Sequence, residues 1–165
     1  MLPPKVIDSP IDFSVHSDDA LKTAAGLASQ FGSELCLVHV VPALPNLPSL
    51  RSFFQEGEYE QTLQADAGKQ LAQRVEEFAR RGIKARYALG TANDTGMEIL
   101  RTAEHNRADL IVIATHGMSG WHHMAFGSVA EKVVRLATIP VLLLRAQPER
   151  ESGGASPTPD PAAAS

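Results

Sequence analysis

Gly117, Gly120 and Gly127 lie in a loop that ends in Gly127-Ser128-Val129-Ala130-Glu131. Ser128 and Glu131 have the spacing of a capping box at a helix start. Ahead of the loop, Leu110 to Ala114 is an unbroken apolar run of strand length. After it, Val129, Val133, Leu136 and Ala137 recur as on one face of a helix. A strand, a glycine-bearing loop and a fresh helix N-terminus make an anion site, because free N–H groups converge there and the helix dipole favours negative charge. A phosphate is the expected ligand. The loop is no Walker A motif, since no Lys stands between Gly127 and Ser128, and no G-x-G-x-x-G follows the first strand.

The elements that position this loop alternate strand and helix, which predicts βαβ units and a parallel sheet. Val6 to Ile11 is the first strand, although Asp8 and Ser9 interrupt it with polar groups. Ser17-Asp18-Asp19 predicts a helix opening, followed by buried Leu21, Ala24, Ala28 and Phe31 and a stop at Gly32. Leu35 to Val41 is the second strand. Residues 42 to 57, with three prolines, read as a long irregular connection, a surface flap. Glu58 to Arg80 carries Leu63, Ala67, Leu71, Val75 and Phe78 at helical spacing and is closed by Gly82. Ile83, Ala85, Tyr87 and Leu89 alternate as in a half-exposed edge strand. Thr95 and Glu98 predict a second capping box, with Met97, Leu100 and Ala103 turned inward. Ile139 to Leu144 is the last strand, whose apolar run on an edge calls for a covering partner.

The chain has 165 residues, 44% hydrophobic and 21% charged, which suits one domain with a core of its own. A net charge of −4, with Lys and Arg scattered, argues against a nucleic-acid partner. No segment is long and apolar enough to insert in a membrane, and Met1 to Lys5 lacks the apolar run of a signal peptide, so a cytoplasmic location is expected. Cys36 is the single cysteine and reads as a small core residue. His39 reads as a hydrogen-bonded strand histidine. His122-His123, with no acid or cysteine beside them, read as exposed, and no metal site is assigned. Trp121 reads as a packing residue. Residues 147 to 165, rich in Pro, Ala, Ser and Gly, read as a disordered tail on a domain of residues 1 to 146.

The glycine loop resembles the G-x2-G-x9-G-[S/T] signature of the universal stress protein family in its nucleotide-binding branch. Gly117 is the second glycine, Met118 to Phe126 the spacer and Gly127-Ser128 the closing pair, while Ala114 stands in place of the first glycine. Pro10-Ile11-Asp12-Phe13-Ser14 is similar to that family's P-x-D-x-S segment, and Val40 falls where the family's second strand turns its backbone to adenine. Asp8 and Ser9 depart from the aliphatic residues usual there. The resemblance spans roughly residues 5 to 145. It implies an α/β single domain, an open five-stranded parallel sheet with helices on both faces, Rossmann-like and adenine nucleotide alpha hydrolase-like. The family's strand order would bring strands one and four together, so that both motifs face one pocket at the topological switch point.

On this resemblance the expected ligand is ATP, with Mg²⁺ as its companion. Pro10, Ile11, Asp12 and Val40 would hold the nucleoside side, and Ala114, Thr115, His116, Gly117, Gly127, Ser128, Val129 and Ala130 the phosphate side. The expected role is a nucleotide-dependent stress-response homodimer joined through Val141 to Leu144. No catalytic residue is assigned, and at most slow ATP hydrolysis is expected. The alternative is a dimer of the same family that binds no nucleotide and works through protein partners. A phosphorylated receiver domain needs an Asp after its third strand and a Lys after its fifth, where this chain has Leu89-Gly90-Thr91 and Arg145.

Overall fold

The computed structural model describes residues 3–43, 58–115 and 127–145. Five parallel strands, β1 (Val6–Pro10), β2 (Glu34–Pro42), β3 (Ala85–Ala92), β4 (Leu110–Ala114) and β5 (Val141–Leu144), stand in the order β3-β2-β1-β4-β5. Helices α1 (Val15–Phe31), α2 (Glu58–Arg80), α3 (Thr95–Asn106) and α4 (Ser128–Leu136) fill the intervals. This is the strand order of the doubly wound nucleotide folds, and it differs from the 2-1-3-4-5 order of the flavodoxin-like sheets to which receivers belong. β1 pairs with both β2 and β4, so the order of the sheet reverses there.

Alternation along the strands sorts the core into two layers. Ile7, Leu35, Leu37 and Val112 face α1 and α2, where Leu21, Ala24, Ala28, Leu71 and Phe78 are buried. Cys36, Val38, Val40, Ile111 and Ile113 face α3 and α4, where Ile99, Ala103, Ala130 and Val133 are buried. The long helix has the bounds its spacing predicts. Phe31, expected in the core, is 41% exposed, because the chain leaves α1 directly after it through Gly32 at φ 68°. Tyr87 and Leu136 are likewise exposed, and on α3 Ala103 is buried as expected, together with Ile99, while Met97 and Leu100 are half-buried.

The polar residues of β1 are accommodated inside the fold. Ser9 Oγ donates to Val112 O (3.3 Å) on the neighbouring strand. Asp8 lies on the other face and aligns across the sheet with Cys36 and Arg86. Its Oδ2 accepts from Asn106 Nδ2 (2.9 Å) at the end of α3, while Asn106 Oδ1 accepts from Arg86 Nη1 (2.9 Å) and Arg86 Nε donates to Glu34 Oε1 (2.7 Å). Asp8 Oδ1 has no hydrogen-bond partner among the described residues, and burial pushes the carboxyl up to about 6 against the pull of Asn106 and Arg86. Burial likewise pushes the Cys36 thiol up to about 12, so it stays protonated and packs as a core residue.

The starts of α1, α3 and α4, unlike that of α2, lie nearer the N-terminus than the sequence suggests. α1 is capped by Ser14, whose Oγ accepts from Ser17 N–H (3.2 Å), and Ser17 is a buried residue of its first turn. α3 is capped by Asp94, not Thr95, through Met97 N–H (3.2 Å). α4 is capped by Gly127, so Ser128 is the first helical residue and its capping box with Glu131 does not form.

Candidate functional site

The site lies at the carboxyl ends of β1 and β4, where the sheet order reverses. β1 leads into a tight turn over residues 11–14, tied to β2 by Ile11 N–H donating to Val38 O (2.8 Å). Within the turn, Asp12 Oδ1 accepts from Ser14 Oγ (2.6 Å) and Ser14 N–H (3.1 Å), and Asp12 N–H donates to Ser17 Oγ (3.3 Å). The carboxylate is therefore oriented before any ligand arrives. At β4, Thr115 N–H donates to Leu144 O (2.8 Å) and Gly127 N–H donates to Thr115 O (2.7 Å), which joins the two ends of the glycine loop. The start of α4 is thereby held against the end of β4.

Between these two turns lies a cleft of about 290 Å³, near the lower end of the small-molecule range. Pro10, Ile11, Asp12, Val40, Ala114, Thr115, Gly127, Ser128, Val129 and Ala130 all line it. The two motifs, far apart in sequence, thus meet at one cavity. His116 and Gly117 fall outside the described residues, as do Trp121, His122, His123 and the connection from residue 44 to 57. Pro42, placed in that connection by its composition, closes β2 instead. The cleft is also lined by Ser17, Val38, His39, Thr95, Ile99 and Ile113. Ile99 and Ile113 carry ordinary core spacing, and Ser17 and Thr95 were each read as a cap, so only the folded sheet reveals their place.

The N–H groups of Ser128, Val129 and Ala130 belong to the first turn of α4 and have no carbonyl behind them within the helix. Gly127 offers them no side-chain acceptor, and Glu131 N–H already donates to Gly127 O (2.9 Å). They form a donor cluster on the cavity wall, suited to an anion. Ala114 adds a buried methyl to the same wall. Val38, Val40, Ile99 and Ile113 add apolar lining to the cleft. A ligand with both apolar and anionic parts matches this mixed lining. Among the described residues, no group of three His, Cys, Asp or Glu side chains is placed to hold a metal ion, and no helix is long and apolar enough to cross a membrane.

The universal stress protein family matches residues 5–145. A universal stress protein of Methanocaldococcus jannaschii is 33% identical over 152 residues, covering 89% of this chain and 85% of that protein. Universal stress protein G of Salmonella typhimurium is 34% identical over 145 residues, covering 86% and 99%. A universal stress protein from Lactobacillus plantarum superposes with a TM-score of 0.75 at 24% identity, covering 86% of this chain and 97% of that one. The same fold recurs in an Archaeoglobus fulgidus member in complex with dAMP (TM-score 0.59, 21% identity, covering 87% and 98%). It recurs again in a member in complex with cAMP (TM-score 0.61, 17% identity, covering 86% and 97%). This chain belongs to the universal stress protein family.

Proposed function

We propose that the protein binds ATP in the cleft between β1 and β4 and acts as a nucleotide-dependent regulatory homodimer. The observation that carries this reading is the convergence of both sequence motifs on one cavity that ends at the open N-terminus of α4. Adenine would lie against the apolar wall beside Val40, Asp12 would meet the ribose, and the phosphates would accept from Ser128, Val129 and Ala130. Mg²⁺ would accompany the phosphates as counter-ion. The dAMP and cAMP complexes of family members support an adenine nucleotide as the ligand class. No side chain is assigned as a catalytic base, so hydrolysis is expected to be slow at most. A cytoplasmic site of action fits this reading.

The homodimer would form through β5, an edge strand. Leu142 (39% exposed) on that strand, with Val134 (45%) and Leu136 (46%) on α4, leaves apolar surface uncovered in the single chain. Leu142→Asp should convert the dimer to a monomer in light scattering at micromolar concentration. A monomeric wild-type chain at that concentration would remove the dimer from the proposal.

A second reading, a dimer that binds no nucleotide and works through protein partners, draws on the Ala114 methyl at the position of the signature's first glycine. Asp8 and Ser9 lend it no support, since both are engaged within the fold. Denaturing the purified protein and chromatographing the supernatant separates the two readings, as released adenine nucleotide is expected only from the first.

A further inference from the structure

We propose that Phe13, His39 and Arg74 form a clamp that presets the Asp12 turn for the nucleoside, a positioning role that rests on the nucleotide reading above. The starting observation is backbone strain. Phe13 sits at φ 63°, in the left-handed region that a bulky L-residue avoids. The residue immediately follows Asp12, which lines the cleft, so this one dihedral sets how the chain leaves that position. Strain of this kind persists only where the surroundings over-determine it, and it concentrates at ligand-binding positions.

Three elements supply that determination. His39 Nδ1 on β2 lies 2.7 Å from Ile11 O; a carbonyl only accepts, so Nδ1 carries the proton and fixes the residue two before Phe13. The His39 ring also packs on the Phe13 ring, with centroids 4.6 Å apart at 40°. On α2, the Arg74 guanidinium lies 5.1 Å from the Phe13 ring centre and pairs with Asp18 of α1 (Nη2 to Oδ1, 3.1 Å). The aromatic side chain is thus engaged from β2 and from α2, and α2 is tied in turn to α1. Ile11, Asp12 and His39 line the cleft, whereas Phe13 and Arg74 do not. Phe13 and Arg74 therefore act from outside the site, by lowering the ordering cost that a bound nucleoside would otherwise meet.

The clamp touches the nucleoside end alone. Gly127 and the start of α4, where the phosphates are expected, belong to a different turn. This separation sets the test: calorimetric titration of wild type, Phe13→Ala and Phe13→Tyr with ATP, adenosine and inorganic tripolyphosphate, with circular dichroism on each. Phe13→Ala should weaken ATP and adenosine by about tenfold and leave tripolyphosphate within about twofold, while Phe13→Tyr keeps the ring and restores both. Equal adenosine affinity in folded Phe13→Ala would overturn the clamp, and so would a matching loss of tripolyphosphate, which means general damage. Arg74→Met, which removes the guanidinium and leaves the ring, is read the same way should Phe13→Ala fail to fold, with a loss of about threefold for adenosine only. A wild-type chain that binds neither ATP nor tripolyphosphate would overturn the nucleotide reading itself, and the clamp with it.

Discussion

Helices α1 and α4 both begin at the carboxyl edge of the sheet, and they treat their free N–H groups in opposite ways. α1 turns Ser14 onto its own first turn, and α3 does the same with Asp94, whose carboxylate also receives Lys132 Nζ from α4 (2.6 Å). α4 begins at Gly127, with no side-chain acceptor, on the wall of a cavity. Donors satisfied by the chain itself belong to the fold. Donors that no described side chain takes, beside an apolar cleft, are where the fold has room for a ligand.

The sharpest way to break that contrast is to close the open end. Gly127 has φ −70° and ψ 151°, a conformation that a β-branched residue adopts freely, so Gly127→Val should fold normally. Its side chain would occupy space beside the donors, and ATP affinity should fall at least a hundredfold, ~2.7 kcal/mol by calorimetry. On the nucleotide reading the glycine would serve access, since its φ is not left-handed.

Asp8 tests the other half of the comparison, a polar group sealed inside the fold. Its carboxyl is raised to about 6 by burial, so between about pH 4 and 6 the folded chain holds a proton that the unfolded chain has released. Stability should therefore fall as pH rises through that window and level off above it. Asp8→Asn should flatten this dependence in urea titrations and raise stability at pH 7.5 by up to ~2 kcal/mol, with little change at pH 4. ATP affinity should not move, since Asp8 does not line the cleft.

Smaller effects complete the series. Ser14→Ala removes a working cap and should cost ~1 kcal/mol of stability in the same titrations. Ser128→Ala should cost under ~0.5 kcal/mol, because Ser128 is the first helical residue and caps nothing. If Ser128→Ala proved as costly as Ser14→Ala, the two helix starts would be alike after all.

The sequence is legible where one physical signal dominates. The period of Leu63, Ala67, Leu71, Val75 and Phe78 marks α2 to its ends, and the apolar runs at 35–41 and 110–114 mark buried strands. The helix starts are less legible, since Ser14 and Ser17 are equivalent by type and only the exit path of β1 selects Ser14. Thr95 and Asp94 compete in the same way. For the site, the residues of both motifs in the described regions reach one cleft, because each sits in a motif with its own punctuation. Ser17, Thr95, Ile99 and Ile113 reach it through strand parity and helix rotation, which no local pattern encodes. Nor does a Phe announce a positive φ; at Phe13 the left-handed turn comes with contacts from His39 and Arg74 on other elements.

On the nucleotide reading, the phosphates of the ligand bind at the N-terminus of α4. Calorimetric titration of ATP into wild type and Gly127→Val, both confirmed as folded by circular dichroism, tests it most directly. One ATP per chain in wild type, with the heat abolished or the affinity lowered at least a hundredfold in the variant, is the predicted result. Equal affinity in the two folded proteins would contradict the claim and place the ligand elsewhere.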